Sequence, residues 1–147
     1  MNQGQGTQAP TDGAFLTIYS NFYTGIARTN ALLENMVRAK DVVPETKYNQ
    51  IEAQALFIRA FHYMYLTELW GDVPFLDKVV KTPEEGMIPR EEKKVVVDHI
   101  LADLEKAAEA LPYKWEGEPE RITKGAVLGL HARISLYNGY YLSLIHI

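Results

Sequence analysis

Glu68 and Asp72 flank Trp70 at the end of a long apolar run, and His62 stands less than two turns upstream of Glu68. Carboxylates and an imidazole are the groups from which general acid–base catalysis is built. A catalytic carboxylate pair needs a shared cleft that drives its two pKa values apart, and close spacing at a helix end does not supply one. The pair therefore reads as solvated helix-end charge, because surface acids far outnumber catalytic ones. No catalytic residue is assigned.

His62, His99 and His131 fall on three different predicted helices, and His146 lies in the C-terminal tail. None belongs to an HExxH or comparable pairing, and the chain has no cysteine, so neither a metal site nor a cofactor is expected. His62 sits in an apolar stripe and is expected to be a hydrogen-bonded core imidazole. There is no glycine-rich phosphate loop after a strand and no nucleophile elbow.

The nine Tyr, five Phe and two Trp point to another chemistry, since rings bind the apolar faces of sugars while polar side chains hold their hydroxyls. Most of the tyrosines fall at core helical spacing, so Tyr19, Tyr63, Tyr65 and Tyr137 read as packing. Trp70 reads as the residue that pins a turn against the helices. Tyr113 and Trp115 are the only aromatic pair in a polar loop, YKWEGEPE, and are the candidate ligand-binding residues.

Four helices must position these groups. The first follows Phe15, Tyr19, Phe22, Ile26, Leu33 and Met36, with Asp12 as its cap and Arg28 and Asn30 interrupting its apolar face. Asn30 is expected to be satisfied by neighbouring backbone. The second, central helix starts near Pro44 and runs through Ile51, Ala55, Ile58, His62, Tyr65 and Leu69, with Leu56, Ala60 and Tyr63 widening the face. Gly71 falls where a left-handed residue is needed and Pro74 forbids continuation, so this helix ends near Trp70. Residues 72–89 form an extended connection with a short strand at 77–80.

The third helix opens at 90–92, runs through Val97, Leu101, Leu104, Ala108 and Leu111, and stops at Pro112. Thr123 caps a fourth whose Ala126, Leu130, Ile134 and Tyr137 share a face. Gly125, Ala126 and Gly129 are small enough to let a neighbour come close. An offset of seventy-two residues pairs Leu56 with Leu128, Ile58 with Leu130, Ala60 with Ala132 and Tyr65 with Tyr137. Half that offset is close to the ~34-residue period of tetratricopeptide hairpins. The fold class is thus all-α, built of tetratricopeptide-like helix hairpins that stack side by side.

At 147 residues the chain has the length of one domain, and its composition, 47% hydrophobic and 23% charged, is that of a folded one. Its net charge of −4, with no basic cluster, argues against nucleic acid as a partner. No window is apolar enough for a membrane-spanning helix. The first thirteen residues have neither a charged nor an apolar leader region and are expected to be flexible.

The run Glu52-Ala53, Phe57-Ile58-Arg59-Ala60-Phe61, Tyr63, Leu66 and Leu69-Trp70-Gly71-Asp72-Val73-Pro74-Phe75 resembles the signature of the SusD/RagB family. ILADLEKAAEALP at 100–112 and RITKGAVLGLHARISLY at 121–137 are similar to that family's next two helices. The resemblance covers 14–141 and implies only the front part of a longer domain. It implies binding without catalysis: a surface lipoprotein of Bacteroidota that captures oligosaccharide and closes over a TonB-dependent, SusC-like transporter, with transporter contacts on the polar helix faces. It also implies a lipid-modified cysteine at the outer membrane, which this chain lacks. Residues 142–147, LSLIHI, depart from the family and are read as a non-native tail. The alternative is a free-standing helical-repeat adaptor that binds a protein or peptide.

Overall fold

The computed structural model describes residues 13–140, so the expectations for 1–12, including the Asp12 cap, and for 141–147, including His146 and the non-native tail, lie outside the described residues. Five α-helices occur in it: α1 (Gly13–Met36), α2 (Glu45–Trp70), α3 (Pro83–Gly86), α4 (Lys93–Ala110) and α5 (Lys124–Tyr137). A 3₁₀ turn, Val37–Ala39, ends α1. The chain is all-α, with α1 packed on α2, α2 on α4, and α4 on α5. Two helix hairpins therefore meet along the α2–α4 seam, in the side-by-side arrangement of a helical repeat.

The ends of the helices follow the local chemistry of the sequence. Pro44 caps α2 from just outside it, one residue earlier than an N1 proline would stand. Gly71 ends α2 with φ 71° and ψ −114°, a conformation that glycine alone adopts without a Cβ clash. Thr123 caps α5 by accepting a hydrogen bond from the Ala126 N–H. Asp72 accepts one from the Lys93 N–H at 2.9 Å, so a carboxylate sits at the positive end of α4. Asp72 is therefore exposed but committed, rather than simply solvated.

One core runs through both hairpins, from Ile26 of α1 through Leu56, Ala60, Tyr63 and Leu66 of α2 to Ile100 and Leu104 of α4 and Val127 and Ile134 of α5. Burying each large apolar side chain contributes about 1.5–3 kcal/mol. The central helix is rotated relative to the expected face. Ile58 and Leu69 are exposed, whereas Arg59, Met64 and Thr67 are buried. The cause is that α2 is apolar nearly all round, so periodicity alone does not select which arc meets α4 and which is left outside.

The fourth helix departs in the same way: Ala126 and Tyr137 are exposed, and Val127, His131 and Ser135 are buried beside Leu130 and Ile134. No atom of another element lies near Gly125 or Gly129, so these small residues admit no neighbour within the described chain. Burial also resets the internal repeat. An offset of seventy-one residues, rather than seventy-two, pairs Leu56 with Val127, Arg59 with Leu130, Ala60 with His131, Tyr63 with Ile134 and Met64 with Ser135, every one of them buried.

The connection from α2 to α4 contains no strand at 77–80. Instead Val73 and Glu91 exchange two backbone hydrogen bonds in an isolated antiparallel bridge, and α3 forms one helical turn capped by Thr82. The bridge draws both ends of the connection together, which turns a long excursion into a closed loop.

Candidate functional site

The chemistry of this chain is concentrated where α1, α2 and α4 hold that loop. Arg59 is buried and donates from Nε and Nη2 to the two carboxylate oxygens of Asp103, each at 2.8 Å. Its Nη1 donates to Asn30 Oδ1 at 3.1 Å and to the Asp77 carbonyl at 3.2 Å. Asn30 in turn donates from Nδ2 to the carbonyls of Leu76 and Lys78, as expected for a polar group satisfied by backbone. A planar guanidinium suits this role because its fork matches a carboxylate while the remaining N–H groups reach sideways.

Two tyrosine hydroxyls complete the clamp. Tyr63 accepts from the Leu76 N–H at 2.6 Å and donates to the Leu76 carbonyl, and Tyr23 donates to the Pro74 carbonyl at 2.7 Å. Burial pushes both hydroxyls well above the usual tyrosine range, so both keep the proton that they donate. Trp70 packs edge-on against Tyr19, which pins the turn as expected. The clamp's groups are spent on protein backbone and on one another, which marks it as structural rather than catalytic.

Beside the clamp, a shallow groove of about 330 Å³ lies between α2, α4 and the loop. Phe75 and His99 stack in it with ring centroids 4.4 Å apart and planes within 8°, bordered by Asp77 and Glu91. Rings edged by carboxylates can take a hydroxylated ligand, with hydroxyls donating to the acids. Nothing in the spacing of Phe75 and His99 announces this pair; the bridge between Val73 and Glu91 brings the loop back over α4.

The candidate pair in the loop before α5 is divided by the fold. Trp115 is half-buried, its Nε1–H donates to the Ile122 carbonyl at 2.7 Å, and the Arg121 guanidinium covers its ring at 4.1 Å. Tyr113 is 70% exposed, with the Lys124 ammonium 5.5 Å from its ring centre. Trp115 thus organises the loop, and Tyr113 presents the open ring.

The remaining titratable groups are scattered. His131 is buried between Ser135 and Glu105, and His62 packs between Phe22 and Phe61. The expectation of a hydrogen-bonded core imidazole at 62 fails: Nδ1 is buried without a partner, and burial lowers the pKa below the usual histidine value. The ring is held by packing instead, against Gly25, where any Cβ would overlap it. Glu68 is not simply solvated, since its Oε2 faces Arg133 of α5 at 3.5 Å. Among the described residues no three His, Asp or Glu side chains converge as metal ligands.

An all-α pair of hairpins with a clamped loop and a polar ring-lined groove defines a helical-repeat scaffold. The chain belongs to the SusD-like family, whose model, described as starch-binding and associating with the outer membrane, matches residues 1–136. The SusD-like protein P2 of Formosa agariphila is 34% identical over 107 residues, covering 72% of this chain and 21% of that protein. A SusD-like protein from Bacteroides fragilis superposes with a TM-score of 0.83 at 30% identity, over 94% of this chain and 27% of that one. Surface glycan-binding protein A from Bacteroides fluxus superposes at 0.74 with 27% identity, over 83% and 26%. This chain spans about a quarter of the length of these relatives.

Proposed function

We propose that this chain forms the helical front of a surface protein that captures oligosaccharide without breaking a bond in it, and hands it to a TonB-dependent, SusC-like transporter. The observation that carries the reading is the family match across 1–136, joined to relatives described as surface glycan-binding proteins. The helices supply a rigid scaffold, and the clamp of Arg59, Asp103 and Asn30 supports it by fixing the loop against them. Tyr113 is the open ring that a sugar would lie on, with Trp115 holding its loop in place. The transporter would meet outward polar helix faces, and a lipid anchor carried outside residues 14–141 would hold the protein at the outer membrane.

The test uses the full-length protein from the source organism, in affinity electrophoresis through gels containing starch or laminarin. Retardation by one polysaccharide, with no release of reducing ends on incubation, is expected. Tyr113→Ala should weaken that retention several-fold, in keeping with roughly 1 kcal/mol for a ring contact. Unretarded migration through every polysaccharide, or the appearance of reducing ends, would sink the reading. Co-purification of an outer-membrane transporter with the tagged protein tests the hand-over.

A further inference from the structure

The face of α2 that turned out not to be core borders a groove of about 540 Å³ between α1 and α2. Its floor is Ala55 and Gly25, and its walls include Leu32 and Ile58, which are 44% and 40% exposed. Grooves of this volume, mostly apolar with a few polar groups, are where ligands and helices dock. The charge along it runs against that of the chain. Carboxylates outnumber bases 19 to 15 overall, yet every charged side chain lining the groove is an arginine: Arg28 from α1 and Arg121 from the loop before α5. Arg28 makes no ion pair with any described residue, whereas Arg121 already bonds to Glu118.

We propose that this groove receives an amphipathic helix whose apolar face is flanked by acidic residues. Leucine- or isoleucine-sized side chains at three- and four-residue steps would seat against Leu32, Ile58 and the His62 ring that covers Gly25. A carboxylate beside them would meet Arg28, the cation without a partner. A second copy of this chain is the poorer occupant, because a two-fold contact through the groove would bring Arg28 towards its own copy. The proposal does not depend on glycan capture. It concerns a different face from the Phe75–His99 groove and from Tyr113.

The probe is a fluorescein-labelled synthetic helix with Leu at i, i+3, i+4 and i+7 and Glu on both flanks, titrated with the 147-residue chain by anisotropy. A sequence-matched peptide with Lys in place of Glu is the control. The Glu peptide should bind at least tenfold more tightly than the Lys peptide, and Arg28→Glu should remove that preference. Ile58→Asp should abolish binding, with circular dichroism of both variants matching the parent. Equal affinity for the two peptides, or an Arg28→Glu variant that still prefers Glu, would overturn the proposal. So would a chain that sedimentation shows to be a dimer from which Ile58→Asp releases monomers, since a second copy would then own the groove.

Discussion

Arg59 shows how much of this fold hangs on one residue. Its guanidinium joins α1 through Asn30, α4 through Asp103 and the loop through the Asp77 carbonyl. Asp103→Ala would leave a buried cation with neutral partners only, and the expected loss is about 3 kcal/mol, read from urea unfolding. Replacing both partners, as Arg59→Met with Asp103→Leu, should cost less than the sum of the single changes. Strict additivity would mean that the pair is not coupled. His62 carries a pH dependence of known sign. Because burial lowers its folded-state pKa, the unfolded chain takes up the proton first, so stability falls as pH drops through about 6.5 towards the folded value. Comparing chemical melts at neutral and mildly acid pH checks this, and His62→Phe should flatten the profile.

At the scale of elements, the helix ends do as much as the helix faces. Gly71 stands at φ 71° with no other atoms crowding its missing Cβ, so a substitution there is resisted by backbone strain alone. Gly71→Ala should therefore cost about 1–2 kcal/mol, seen as a lowered thermal midpoint with an unchanged helical spectrum. The same turn leads into the Asp72 contact with α4 and the Val73–Glu91 bridge, so the start of the loop and the second hairpin share one anchor. The two exposed strips, Ile58 with Leu69 on α2 and Leu136 with Tyr137 on α5, are the reverse side of that economy. Both strips lie outside the contacts of α1 with α2, α2 with α4 and α4 with α5 that the described residues make.

At the scale of the whole molecule, net charge and surface chemistry separate the possible partners. With 15 Lys and Arg against 19 Asp and Glu, this chain's net charge of −4 does not favour a phosphate backbone. If the full-length protein binds a neutral glycan, its affinity should stay within about twofold between roughly 50 and 200 mM salt, where phosphate-dominated binding would fall by orders of magnitude. A steep salt slope in the same titration would point to an anionic ligand. The groove between α1 and α2 is the place where salt should matter, since its cations face an acidic partner by proposal.

The sequence by itself determined the helical class, the stop at Gly71, the cap at Thr123 and the family, because these rest on local backbone preferences and on the order of short motifs. It also foretold that Asn30 would find backbone partners. It did not reveal which arc of α2 is core, because an all-round apolar helix has no unique face to read. Nor did it reveal the Arg59–Asp103 pair, whose members stand forty-four residues apart on different helices. Tyr113 and Trp115 looked alike as letters; Ile122 and Arg121 made Trp115 structural. Those distinctions were decided by tertiary packing alone, which chooses partners across the chain where local sequence offers several.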